Sequence, residues 1–211
     1  MVRRTKEDAQ ATRCSLLDAA EQVFFAQGVS RTSLSDIAVA AGTTRGAIYW
    51  HFKDKADLFN AMMERVTLPL ENAFLESHDN ITPDPLNLIR QMMATVLRKI
   101  GTDQRTRQVF EVAMHKVEYV DELRAVQERH VKSSNKCCTD LERNLRKAAR
   151  LQGIKLAMPA RHAGIGLHAL ADGLIQNWIL TQGMFDLVKV GRGAVDAYLL
   201  GLGLALPANR R

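Results

Sequence analysis

Between Gly42 and Lys55 the chain gathers side chains that bind phosphate and base edges. Thr43 and Thr44 supply hydroxyls, Arg45 a guanidinium fork, Tyr49 and Trp50 rings with a polar tip, His51 an imidazole and Lys55 an ammonium. Gly46 and Ala47 lie among them and are small. On one short helix, preceded by another helix and a glycine turn, this set has the layout of a helix-turn-helix, whose second helix enters the DNA major groove. The question it raises is which DNA is bound and what regulates the binding. Taken singly, these residues say less. A Tyr-Trp pair on a short helix is more often core, and an arginine at a helix start is more often merely solvated. It is their conjunction with a turn glycine and a cap threonine that points to DNA.

The elements that must position these side chains read as helices. The first spans about 6–27, with Leu16, Leu17, Ala20, Val23 and Phe24 on its apolar face and Gly28 as its stop. Ser33 and Asp36 have the spacing of a capping box opening a short helix to about 41. Gly42 can take the positive φ of the turn. Thr44 or Thr43 caps the recognition helix, which ends near 51–52, and Ile48 and Phe52 belong to the core. Asp54 caps the next helix, whose apolar positions are Leu58, Phe59, Met62 and Met63, and Pro69 is expected to kink or split it. Thr82, Pro83, Asp84 and Pro85 read as a loop. Further helices are expected at about 86–101, 103–116, 120–151, 159–180 and 185–206, with Pro159 in the first turn of its helix. Sustained strand alternation and hairpin turns are missing, so the fold class is all-α: a small three-helix unit and a larger helical body.

Composition sets bounds. A length of 211 residues suits one large domain or two small ones, and 46% hydrophobic with 25% charged residues is an ordinary globular balance. A net charge of +6 and a pI near 9.4 favour polyanionic partners only modestly. The first 60 residues hold eight Lys/Arg against seven Asp/Glu, so DNA binding must rest on where charge is placed rather than on its amount. That balance disfavours a non-specific architectural DNA binder. Cys14, Cys137 and Cys138 are odd in number and two are adjacent, which describes reduced thiols rather than a disulfide framework. No apolar run follows the charged start, and no segment approaches the roughly 18 apolar residues of a membrane span. A cytoplasmic protein with no membrane partner is expected.

Catalytic signatures are missing: there is no P-loop, dinucleotide glycine motif, Gly-x-Ser-x-Gly or His-Glu-x-x-His. Glu111 and His115 have the wrong interval for a di-metal bundle and no twin. No catalytic residue, metal site or cofactor is expected. Cys137 and Cys138 leave a thiol-based redox sensor as an alternative, though no His/Cys cluster of zinc spacing surrounds them.

Arg3, Arg4 and Lys6 with Ala9, Thr12 and Arg13 at the start, Gly28-Val29, Thr32-Ser33-Leu34, Asp36-Ile37-Ala38, and the run 44–52 followed by Lys55, Leu58 and Phe59 resemble the TetR family of bacterial repressors. Within it they are most similar to the AcrR-like regulators of multidrug efflux pumps. Weaker matches extend to Asp84, Pro85 and Leu86, to Arg105 and Arg107, to His115, Lys116 and Glu118, and to Asp172, Ile175 and Trp178. Thr43, where valine is common, and Pro69, which has no counterpart, depart from the pattern.

The resemblance implies a helix-turn-helix DNA-binding domain over 1–54 and a ligand-binding and dimerisation domain over 55–211. It places the helix 44–51 in the major groove of a double-stranded, palindromic operator. Thr44 would donate to phosphate, helped by the helix dipole. Arg45 would reach guanine O6 and N7. Gly46 and Ala47 would admit the base edges, Tyr49, Trp50 and His51 would meet phosphate, sugar or thymine methyl, and Thr32, Ser33 and Thr43 join this DNA-contacting set. Lys55, Arg3, Arg4 and Lys6 would add sequence-independent attraction.

It further implies a homodimer through the last two helices, where Gly164, Gly166, Gly201 and Gly203 would allow close approach. Its ligand pocket would be lined by Val66, Met92, Met93, Val96, Phe110, Met114, Cys137, Leu141, His168, Asp172, Ile175 and Gln176. Methionine adapts to varied ligands, although ordinary core is the plainer reading of each one. Asp172, a carboxylate on an apolar helix, needs a partner that a lipophilic cationic inducer could supply. A regulator of another pathway would share all these features.

Overall fold

In the computed structural model, which describes residues 6–76 and 84–206, the chain is all-α. The helices are α1 (Lys6–Gln27), α2 (Leu34–Ala40), α3 (Arg45–His51), α4 (Lys55–Glu76), α5 (Pro85–Thr102), α6 (Gln104–His115), α7 (Arg124–Leu151), α8 (Ala160–Leu180) and α9 (Leu187–Gly201). A 3-10 turn, Asp121–Leu123, precedes α7. Among the described residues no helix is long and apolar enough to cross a membrane.

Capping chemistry sets most helix starts. Ser33 Oγ accepts from the Asp36 N–H while Asp36 accepts from the Ser33 N–H, so both halves of the capping box form. Asp54, Asp84 and Asp186 each accept a backbone N–H in the first turn of α4, α5 and α9. Pro85 follows Asp84 at a position where its missing N–H costs nothing.

The chain forms two compact units. The first comprises Met1–Leu68 with Gln108–His130. Its core joins Leu16, Leu17 and Phe24 of α1, Ile37 of α2, Ile48 and Phe52, and Leu58, Phe59 and Met62 of α4, together with Val109, Val112, Leu123 and Val126. The Phe24 and Phe59 rings lie 6.0 Å apart. The second comprises Pro69–Arg107 with Val131–Arg211. Leu86 and Ile89 of α5, Leu141 and Leu145 of α7, Leu167 of α8, and Val195 and Leu199 of α9 form its core. Neither unit ends at residue 54, because 108–130 packs with the N-terminal helices.

Several expectations need revision. Of the kink or split expected at Pro69, the split does not occur: α4 runs through it to Glu76. A proline removes one N–H from the ladder and leaves the remaining bonds in place. Pro159 is the residue before α8 rather than in its first turn, with extended ψ of 135°. The last helix stops at Gly201 instead of about 206, because Gly203 takes φ +88 and turns the chain.

Two of the glycines expected at the dimer contacts, Gly164 and Gly166, serve packing within the second unit. A Cβ on Gly164 would lie 2.9 Å from the Cys138 carbonyl oxygen, so this glycine lets α8 approach α7. A Cβ on Gly166 would collide with the Tyr198 hydroxyl. Of the four, only Gly201 has open space around it. Thr82, Pro83, Arg3 and Arg4 lie outside the described residues.

Candidate nucleic-acid interface and ligand-binding residues

Three local devices place α3. Gly42 has φ +64 with nothing near a would-be Cβ, so the backbone conformation, not space, calls for glycine. The Thr43 N–H donates to the Ala38 carbonyl at 2.9 Å, closing the turn. Thr44 is the cap: its backbone is extended and its Oγ1 accepts from the Ala47 N–H at 3.2 Å. Ile48 and Phe52 then bury completely or nearly so and anchor the helix, with the Arg13 guanidinium 5.1 Å from the Phe52 ring centre.

What remains of α3 faces solvent. Trp50 is 73% exposed and Tyr49 48% exposed, while Arg45 and Gly46 are also exposed. Large aromatic surface is thus left in water on a capped, anchored helix. The Arg45 guanidinium sits 5.6 Å from the Tyr49 ring centre, a cation–π contact that restricts where the fork can point. His51 and Ala47 are half-buried, and the His51 ring packs edge-on against Trp50 at 4.6 Å. Val39 of α2, absent from the expected set, is 78% exposed. Its signal in the sequence was its place off the Leu34, Ile37 and Ala38 face.

Two expected phosphate binders are engaged inside the unit. Lys55 is 5% exposed; its Nζ donates to the Ser30 and Thr32 carbonyls at 3.3 and 3.0 Å and pairs with Glu122 at 3.1 Å. Thr32 is buried and its Oγ1 donates to the Gly28 carbonyl at 2.7 Å. A buried ammonium must be paired and hydrogen-bonded, so Lys55 is committed to holding the α1–α2 loop. Lys6 is exposed in the first turn of α1. Ser33 is exposed, but its hydroxyl donates to Asp36 at 2.7 Å as well as accepting from it. The backbone and side chain of Ser33 hold the Asp36 carboxyl below its ordinary value.

Sequence reasoning missed the role of Lys116. Its Nζ donates to the Phe25 carbonyl at 2.7 Å, pairs with Glu111 at 3.2 Å and lies 4.0 Å from the Phe25 ring centre. Its own carbonyl accepts from the Val29 N–H at 2.9 Å. Lys55 and Lys116 thus fix the loop after α1 to the segment between α6 and α7. The match at His115, Lys116 and Glu118 carried this signal without a role attached.

The twelve ligand-lining candidates divide between the units. Val66 is buried and Phe110 and Met114 half-buried in the first. In the second, Leu141 and Ile175 are buried, Met92, Val96, Cys137, His168 and Asp172 are half-buried, and Gln176 is exposed. Met93 does not share the Met92 surface: it is buried core and lines a groove with Val195 of α9.

His168 links two helices of this unit. One ring nitrogen, Nε2, is 2.8 Å from the Ser134 hydroxyl of α7, and Nδ1 is 3.4 Å from Asp172 one turn on. The carboxylate on the apolar helix therefore has a structural partner. Burial raises the Cys138 thiol above its ordinary value. A thiol kept protonated is a poorer nucleophile, which weighs against the redox-sensor alternative.

Comparison with known proteins accords with this geometry. Residues 16–62 match the model of bacterial regulatory proteins of the tetR family, and residues 84–203 match the C-terminal region of MAATS-type transcriptional repressors. The HTH-type transcriptional regulator AcrR of Shigella flexneri is 38% identical over 210 residues, covering 100% of this chain and 97% of its own. The crystal structure of NalD, the secondary repressor of the MexAB-OprM multidrug efflux pump in Pseudomonas aeruginosa, superposes with a TM-score of 0.84 at 35% identity, covering 92% of this chain and 98% of that one. The SmeT–triclosan complex gives 0.80 at 30%, covering 95% and 97%. The chain belongs to the TetR family of bacterial regulatory proteins.

Proposed function

We propose that the protein is a ligand-responsive transcriptional repressor of multidrug efflux pump genes, released from a palindromic operator when a lipophilic drug binds its body. The observation that carries this reading is the outward face of α3, where Arg45, Tyr49 and Trp50 stand exposed on a helix anchored by Ile48 and Phe52. Full-length similarity to AcrR and NalD supplies the regulated gene class, and the triclosan complex of SmeT the ligand class. In this reading 1–54 is the DNA-binding domain and 55–211 the ligand-binding and dimerisation domain of a cytoplasmic protein.

Arg45 reads guanine, Thr44, Tyr49, Trp50 and His51 contact the backbone and thymine methyls, and Ser33, Thr43 and Lys6 add phosphate contacts. One short helix reads too few base pairs for specificity, so two copies bind two half-sites. Ile165, Leu180, Met184, Val190 and Leu200 are large, apolar and exposed on or beside α8 and α9, which supports a dimer through these helices. The ligand acts by binding the DNA-incompatible state better, by a few kcal/mol.

The test is affinity for the DNA upstream of the protein's own gene, at fixed salt, against scrambled DNA, with and without lipophilic cations and antibiotics. Palindrome-dependent binding that a drug releases is expected. Equal binding to scrambled DNA would overturn the reading.

A further inference from the structure

The second unit holds a groove between α5 and α9, which shares only Met93 with the residues proposed for DNA and drug. We infer that this groove binds a small amphipathic carboxylate. Its volume is about 480 Å³, within the range of small-ligand sites. Its geometry follows from how the helices cross. Arg90 of α5 pairs with Asp196 of α9, and further along Leu97 meets Gly191, so the two helices run antiparallel. A Cβ on Gly191 would run into the Leu97 Cδ1 methyl, so the two helices lie close at this point. The two contacts are seven residues apart on α5, roughly 10 Å along the axis.

The groove has an apolar floor, and Asn87, Gln91 and Thr95 line it beside the arginines. Met93, Ala94, Leu97 and Val195 form its floor, and all four are otherwise buried. Toward the start of α5, Arg90 Nε and Nη2 donate to the two carboxylate oxygens of Asp196 at 2.7 and 2.9 Å, so the two charges of that pair offset each other. At the other end Arg98 and Arg192 flank the contact between Leu97 and Gly191. Both are exposed, and neither is ion-paired among the described residues.

Charge complementarity selects the occupant. Two guanidinium groups on adjacent helices present forked donors that suit a carboxylate. The apolar floor beside them suits a short alkyl tail. A cation would meet like charge, and a neutral alcohol would leave the guanidinium groups without an anion.

The experiment is calorimetric titration of the full-length protein with octanoate and, separately, octanol. Octanoate should bind saturably and more tightly than octanol, with an affinity that falls as salt rises. The double variant Arg98→Ala and Arg192→Ala should weaken octanoate roughly tenfold. Arg150→Ala, an exposed arginine of α7 outside the groove, should change nothing. Both arginines of the double variant are exposed, so its circular dichroism should match the parent, and its operator affinity without octanoate should be unchanged. Absence of saturable octanoate binding, equal affinity for octanol, or full retention by the double variant would each overturn the inference. None of these outcomes bears on the proposed operator or drug sites.

Discussion

The two units use apolar and charged side chains in opposite ways. In the first, large aromatic surface stands in water on α3 while two lysines, Lys55 and Lys116, are drawn inward to bind backbone carbonyls. In the second, the candidate ligand residues are mostly half-buried, and two arginines, Arg98 and Arg192, stand outside an apolar groove. Exposure against chemical type is therefore the informative quantity in the first unit. In the second the same residue types serve both core and site, and only polar links such as Ser134 with His168 distinguish one from the other.

The largest effect should come from attacking the support of α3 rather than its face. Phe24 is fully buried against Phe59, and Phe24→Ala should cost about 3–5 kcal/mol of stability. Trp50→Ala should stay within roughly 0.5 kcal/mol of the parent in stability while weakening operator binding. Denaturant unfolding of both variants decides the matter. A stability loss for Trp50→Ala approaching that of Phe24→Ala would make Trp50 core and erase the contrast.

Arg45→Ala should weaken operator binding by about 1–3 kcal/mol with the fold intact, and relax preference at one base position. A folded variant with unchanged affinity would remove the base-reading role. Lys116→Met tests the opposite use of charge. It leaves the Phe25 carbonyl and Glu111 without their partner and should cost about 1–3 kcal/mol of stability. Unchanged thermal unfolding of Lys116→Met would show that the lysine cross-links are ornamental and that the inward and outward charges do not differ in kind.

In the second unit, Asp172→Asn should lower affinity for a cationic drug about threefold, a small effect because the carboxylate is half-exposed. A neutral ligand of similar shape should bind both forms alike. Equal loss for both ligands would mean that the contact with His168 shapes the site and that the charge does not recognise the drug.

The sequence disclosed much of this architecture. Periodicity located the helices, and the capping pattern at Ser33 and Asp36 and the turn at Gly42 formed as expected, because local hydrogen bonds within five residues decide them. What it hid was long-range. Lys55 looks like any phosphate binder until Glu122, 67 positions away by number, is seen beside it. The glycines of α8 and α9 suggested a partner chain, but the neighbours of Gly164 and Gly166 are Cys138 and Tyr198 of the same chain. Pro69 signalled a break that the remaining hydrogen bonds of α4 override. For Lys55 and the two glycines the deciding contact lies beyond the window in which a pattern can be read, whereas at Pro69 the bonds of its own helix decide.

The smallest effect is also the most local, and a change of pH exposes it. Asp36 closes the capping box of α2, and its hydrogen bonds from Ser33 hold its folded pKa below the ordinary carboxylate value. A depressed folded pKa means that the contribution is complete above the unfolded value. It is lost as pH falls through the folded one. Acid unfolding of Ser33→Ala should therefore show a weaker dependence on pH below the ordinary aspartate range than the parent. At neutral pH the variant should be slightly less stable, through loss of the cap. If Ser33→Ala and the parent lost stability in parallel as pH fell, Asp36 would not be the group that α2 depends on. The turn into the recognition helix would then rest on Gly42 and Thr44 alone.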